Sequence, residues 1–268
     1  MKIKFLGTCG AWRPAELFHN DGNLEKLINA KKLHLRSQLL INDDMLVDFP
    51  EDTYFKILEY GFDASAIESI LITHSHSDHF YPADMSLRGG AYAHEMTVPE
   101  VNVYGDKNVF DTLTSRKLSH DTYNAVEVFA FKSFKAGKYT VTPLPAVHDP
   151  LEDSFIYLID DGKVKLLYAT DTQVFPKETF DYLATVVHID AILYDCTSYT
   201  NGPMDTHMWC EENVKCTEIL KGFGVVDCTT KIYPTHLCAD IPFRTDNEDV
   251  VVKYGYTAIP YDGMEAEI

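Results

Sequence analysis

The sequence predicts an α/β (α+β) chain in which sheets are stacked as a sandwich and covered by helices. Three observations carry this: about eleven short β-type runs spread along the 268 residues, four helical patterns lying mostly between the later runs, and a turn-favouring Asp161-Gly162 that points to antiparallel pairing. A doubly wound parallel sheet fits this pattern less well.

Taken in order, strands are predicted at Ile3–Leu6, Gln38–Ile41, Met45–Asp48, Ser69–Thr73, Val101–Tyr104, Val126–Phe131, Tyr139–Leu144, Phe155–Ile159, Lys165–Ala169, Ala191–Tyr194 and Lys231–Pro234. Each is a short run rich in Val, Ile, Leu, Tyr or Phe. The segment Ile159-Asp160-Asp161-Gly162-Lys163 reads as a hairpin turn. Helices are expected at Asp52–Tyr60, Asp106–Lys117, Lys177–Ala184 and Met208–Gly222, the last ending in the glycine that often stops a helix. No low-complexity linker or internal repeat divides the chain, so residues 1–268 are read as one domain.

Composition narrows the function classes. Lys and Arg total 23 against 41 Asp and Glu, a net charge of −18, and no basic run appears, which argues against an extended nucleic-acid footprint. With 46% hydrophobic residues the chain can bury a substantial core, which excludes disorder as the dominant state. The opening MKIKFLGTCGAW is too short in its apolar part for a signal peptide, and no stretch of about 18 apolar residues exists to span a bilayer. A cytoplasmic protein is expected. The cysteines at 9, 196, 210, 216, 228 and 238 form no CxxC pair and read as small buried thiols.

The chemically informative segment is Ile72-Thr73-His74-Ser75-His76-Ser77-Asp78-His79, directly after the apolar Ser69-Ile70-Leu71. Residues two apart on an extended chain project to the same side, so His74 and His76 can reach one cation while Asp78 and His79 turn toward a second. Imidazole mixed with carboxylate suits zinc, manganese or iron. His148, Asp171 and His236 repeat the local grammar, each a ligand type just beyond an apolar run. Single histidines elsewhere, at 19, 34, 94, 120 and 188, read as surface or hydrogen-bonded residues, and Cys210 and Cys216 as structural.

The ordered set His-x-His-x-Asp-His, then His148, Asp171 and His236, resembles the metallo-β-lactamase superfamily. That resemblance implies a four-layer αββα metallo-β-lactamase sandwich with the metal site along one edge. It further implies His74, His76 and His148 on one metal, Asp78, His79 and His236 on the other, and Asp171 bridging. Within the superfamily the chain is similar to the phosphoribosyl cyclic phosphate phosphodiesterases and the tRNA 3′-processing endonuclease. The similar pieces are Phe5-Leu6-Gly7-Thr8, Arg36-Ser37-Gln38-Leu39-Leu40, Leu46-Val47-Asp48-Phe49-Pro50, Asp84-Met85-Ser86-Leu87-Arg88 and Pro260-Tyr261-Asp262-Gly263-Met264. Such phosphodiesterases often carry a cysteine cluster for a further structural metal. Here Ala15–Gly22 holds no cysteine, so two metals and no third are expected.

The function expected is a metal-dependent hydrolase, a two-metal phosphodiesterase acting on a small or cyclic phosphate ester through a metal-bridging hydroxide. Zinc is the expected metal, with manganese as the alternative. Asp78 would orient the hydroxide, and His207, read as lying at the start of the last helix, would contact phosphate or protonate the leaving group. Arg88 is a weaker candidate for phosphate contact, and Asp48 reads as a brace for a ligand imidazole. The partner expected is a small-molecule phosphate ester. Long nucleic acid and membrane are not expected, and a homodimer is left open. The competing readings are hydrolysis of a carbonyl ester such as a lactone, thioester or lactam at the same site, and a non-catalytic metal-binding module.

Overall fold

The computed structural model describes residues 1–11, 22, 25–26, 34–90, 92–238 and 247–268. Among these, thirteen strands form two sheets. The first holds β1 (Lys2–Gly7), β2 (Gln38–Ile41), β3 (Met45–Val47), β4 (Ser69–Leu71), β5 (Val101–Gly105) and β6 (Tyr123–Glu127), side by side in chain order. The second holds β7 (Phe134–Ala136), β8 (Tyr139–Pro145), β9 (Phe155–Asp160), β10 (Lys165–Ala169), β11 (Ala191–Asp195) and β12 (Lys231–Thr235), also in chain order. A last strand, β13 (Glu265–Glu267), returns to pair with β1.

Successive side chains of a strand point to opposite faces, and that alternation sorts the core into layers. Phe5, Leu39, Val47 and Leu71 of the first sheet meet Val141, Tyr157, Tyr168 and Leu193 of the second. Their neighbours face outward: Leu40, Leu46 and Ile70 pack with Val109 and Leu113 of α2 (Lys107–Arg116) and with Ile57 of α1 (Thr53–Tyr60). On the other side Ile156, Leu158, Leu167 and Ile192 pack under α3 (Lys177–Leu183), α4 (Cys210–Gly222) and α5 (Asn247–Tyr254). Helix, sheet, sheet and helix therefore form four layers, as expected of an αββα sandwich.

Parallel pairing joins β3 to β4, β4 to β5, β5 to β6, β10 to β11 and β11 to β12, whereas β8, β9 and β10 run antiparallel. The β9–β10 hairpin turns at Gly162, whose φ of 88° uses the freedom of glycine. The shared direction of β3, β4, β8, β10, β11 and β12 brings six C-terminal strand ends to one edge.

Several boundaries differ from expectation. The strand expected at Val126–Phe131 starts earlier, at Tyr123, because that buried ring packs beside α2; it stops at Glu127, and Phe131 takes a left-handed φ of 61° that ends extended pairing. The last expected helix begins at Cys210, not Met208, with Glu212 accepting from the Trp209 amide. Three elements, β7, β13 and α5, carry no expected counterpart. Cys9, Cys196, Cys210 and Cys216 are buried as expected, but Cys228 is exposed and Cys238 half-buried. The cysteine-free stretch at 15–21, and His19 within it, lie outside the described residues. Among the described residues no helix is long and apolar enough to cross a membrane.

Candidate metal and active site

Each expected donor, like the brace Asp48, follows a strand at the shared edge. Asp48 follows β3, His74 to His79 follow β4, His148 follows β8, Asp171 follows β10 and His236 follows β12. Asp48, Asp171 and His236 have positive φ values of 67°, 51° and 56°. A left-handed backbone costs a side-chain-bearing residue about 1–2 kcal/mol. Here it turns the chain sharply enough to aim the side chain back at the strand ends. Gly10 completes the fit, because a β-carbon there would lie 2.5 Å from the His236 ring.

All seven expected donors are brought together. Donor atoms of His74, His76 and His148 lie within 4.8 Å of one another, as do those of Asp78, His79 and His236. The carboxylate of Asp171 stands between the sets, with Oδ2 2.9 Å from His79 Nε2 and 3.2 Å from His236 Nε2, and Oδ1 3.6 Å from His148 Nε2.

The donor chemistry fits divalent cations. Nitrogens held at about 2.0–2.1 Å by one tetrahedral zinc are about 3.3 Å apart. His76 Nδ1 and His148 Nε2 are 3.2 Å apart, and so are the Nε2 atoms of His79 and His236. His74 Nε2 is buried, with no hydrogen-bond partner among the described residues.

Proton counting agrees. Thr73 Oγ1 donates to Asp48 and so accepts from His74 Nδ1; His79 Nδ1 donates to Asp48 Oδ2 at 2.7 Å. Thr197 Oγ1 donates to Asp195 and accepts from His236 Nδ1 at 2.7 Å. Protons placed outward on Nδ1 leave Nε2 lone pairs facing inward.

The electrostatics favour positive charge. Burial works against charging His79, but the carboxylates of Asp171, Asp48 and Asp78 outweigh it and hold the imidazole well above its ordinary range. Burial likewise opposes ionisation of Asp171, and His236 and His79 override it, keeping the carboxyl well below the usual range. His74 moves the other way, because burial and the neighbouring His79 keep it neutral.

His207 joins the same cleft of about 310 Å³, whose walls include Ala11, Met204 and Thr206. Sequence placed it at a helix start. The structure holds it three residues before α4, where its Nδ1 donates to Asp195 Oδ2 at 2.9 Å. Burial opposes its charging, yet Asp195 raises it to about 9. The other Asp195 oxygen accepts from the Thr197 amide and hydroxyl and from the Met208 amide.

Arg88 is not brought here. It lines a separate apolar cavity with Leu46, Ile57 and Met85, and its guanidinium donates to the Val98 carbonyl, because the turn after the metal loop carries it to the outer face of the first sheet. Arg36 stands nearer, 4.0 Å from Asp78 Oδ2, with its Nε donating to Glu51. Asp195 and Thr197 were missed by sequence reasoning, although Asp195 ends the apolar run of β11 just as Asp171 follows that of β10.

The family model described as the beta-lactamase superfamily domain matches residues 58–237. The Anti-Pycsar protein Apyc1 of Bacillus phage vB_BveM-Goe7 is 26% identical over 222 residues, covering 75% of this chain and 78% of its own. Among solved structures, Zn(2+)-bound PqqB from Methylobacterium extorquens superposes with a TM-score of 0.73 at 14% identity, covering 100% of each chain. A diphosphatase of the PhnP family gives 0.72 at 18% identity, covering 100% of this chain and 97% of its own. Human tRNase Z, short form, gives 0.69 at 16% identity, covering 100% and 99%. With a convergent His/Asp cluster on an αββα fold and the family model matched over residues 58–237, more than half of the chain, the chain belongs to the beta-lactamase superfamily.

Proposed function

We propose that this chain is a cytoplasmic, single-domain two-metal phosphodiesterase that cleaves a small phosphate ester, cyclic esters included. The observation that carries the reading is the convergence of seven donors, five of them lining one cleft, beside a histidine backed by a carboxylate, the His207–Asp195 pair. His74, His76 and His148 would hold one cation and Asp78, His79 and His236 the other, with Asp171 shared. Zinc is the expected metal and manganese the alternative. Divalent cations in such a site lower the pKa of water toward neutrality and stabilise charge on phosphoryl oxygens.

The chain's own groups supply the rest. Asp78 orients the attacking water. His207, held by Asp195 through Nδ1, presents its other nitrogen to the cleft and hands a proton to the leaving oxygen. Met204 and Ala11 offer apolar wall to the organic part of the ester. A lactone, thioester or lactam would use the same site, but it has less need of this proton donor. The names diphosphatase and tRNase Z among the structural neighbours accord with phosphate chemistry.

The test is turnover of a generic phosphodiester by zinc-defined protein, with and without chelator, beside a carbonyl-ester panel. Asp171→Ala should strip metal and abolish turnover; retained turnover overturns the shared-carboxylate assignment. His207→Ala should leave metal content intact and lower diester cleavage by about 10²–10⁴-fold. Faster turnover of carbonyl esters than of diesters would replace the phosphodiesterase reading.

A further inference from the structure

Among the imidazoles at the centre, His76 is reversed. His74, His79, His148 and His236 brace Nδ1 on Thr73, Asp48, the Thr206 carbonyl and Thr197. His76 instead turns Nδ1 toward His148 and sends Nε2 out of the site, to Asp149 Oδ2 at 3.0 Å. Glu152 Oε1 lies 3.7 Å from the same nitrogen.

Glu152 is an unusual carboxylate. Its side chain is only 3% exposed, and Oε1 is buried with no hydrogen-bond partner among the described residues. Its Oε2 accepts from the Ser75 amide at 3.0 Å and from Asn108 at 3.4 Å, which ties the loop after β8 to the backbone between His74 and His76. Asp149 is anchored through its other oxygen by the Leu151 amide at 2.8 Å. Among the described residues, neither carboxylate has a Lys or Arg within ion-pair distance; their shared ionic partner is His76. A carboxylate this buried without a cation is costly unless it meets a strong donor.

Proton counting decides what the pair does. A neutral imidazole has one lone pair, so a ring that offers Nδ1 to a cation carries its proton on Nε2. The ring then gives Asp149 a hydrogen bond and turns the same N–H, not a ligand atom, toward Glu152 at 3.7 Å, which makes the trio a brace and not a third cation site. We propose that Asp149, which accepts Nε2–H of His76, and Glu152, which places negative charge 3.7 Å from the same nitrogen, are positioning residues that clamp the ring, fix Nδ1 as the inward donor, and set the affinity of the first cation separately from that of the second. The inference rests on the two-metal reading above. His76, 41% exposed on its side chain, is the least enclosed of the donors and has most need of such a brace.

The experiment uses the full chain loaded with zinc and titrated with a competing chelator, for the wild type, Asp149→Ala, Asp149→Asn, Asp149→Glu and the isosteric Glu152→Gln. Thermal unfolding checks that each variant is folded. Wild type should release two ions in resolved steps. Asp149→Ala, Asp149→Asn and Glu152→Gln should weaken one ion by about 10–100-fold and leave the other unchanged. Asp149→Glu, which keeps a charged carboxylate to face Nε2–H where Asn offers only a neutral amide, should recover most of the loss. The visible spectrum of the cobalt-substituted protein should change in the same variants. In unmutated zinc protein, long-range ¹H–¹⁵N spectra should place the His76 proton on Nε2. A proton on Nδ1, or unchanged affinity for both ions in every variant, overturns the clamp while leaving the two-metal reading intact. Wild type that takes up no zinc overturns the two-metal reading and the clamp with it.

Discussion

Asp262 shows how one residue couples the end of the chain to the site's foundation. Part of its surface is exposed, but its carboxylate is enclosed and accepts from the Thr8 amide, the Thr8 hydroxyl and the Leu35 amide. Burial outweighs those donors and raises its pKa to about 6. A carboxyl held above its unfolded value of 3.8 binds its proton more tightly in the fold. The stability it contributes is therefore complete below about pH 4 and lost as pH rises to about 6. Denaturant midpoints of wild type and Asp262→Ala across pH 4–7 should show the wild-type advantage shrinking by about 2 kcal/mol over that window. A pH-independent difference would mean that Asp262 titrates normally. At this scale the legible residues were those whose chemistry forces clustering in sequence. His74, His76, Asp78 and His79 announce themselves, whereas Asp149, Glu152 and Asp195 do not, since each acts through a histidine placed beside it only by folding.

Elements were legible where burial imposes a period. Strands β1, β2, β8, β9 and β10 present apolar residues to both the inter-sheet core and a helical layer, so continuous apolar runs mark them. Strand β13 reads Glu-Ala-Glu at a sheet edge and carries no such signal. Among the described residues the short β7 pairs only with β8, and α5 buries Val250 alone. The β2–β3 hairpin offers an element-scale prediction. Asn42 and Asp43 in its turn have φ of 47° and 60°, a conformation glycine adopts without strain. Asp43→Gly should raise stability by about 0.5–1 kcal/mol with activity unchanged, read as a shift in urea midpoint at constant slope. A lower midpoint would show that the exposed Lys2–Asp43 pair matters more than the backbone.

For the whole molecule, the net charge of −18 opposes any anionic substrate at long range. Cations within the cleft would reverse the sign only at contact distance. Raising ionic strength from about 0.01 M to 0.15 M shortens the screening length from about 30 Å to 8 Å. It should thus increase kcat/KM for an anionic diester by about 2–5-fold and leave a neutral carbonyl ester unaffected. A fall with added salt would point to a local basic approach path instead. Composition made this long-range field legible, but it gave no sign that His148, Asp171 and His236 would meet the cluster at 74–79 at one edge.

The order of strands in space follows their order in the chain: β1 to β6 build one sheet and β7 to β12 the other, joined by the segment after Glu127. Neither proposed cation is served by one half alone. The first half supplies His74, His76, Asp78 and His79, and the second supplies His148, Asp171 and His236, while β13 reaches across to β1. Cutting the chain at the 128–133 connection would yield two fragments, each able to pair its own strands apart from β13 and each short of ligands for either ion. Zinc uptake would then report their reassociation, and the metal would act as a rivet whose affinity is drawn from the docking of the two sheets.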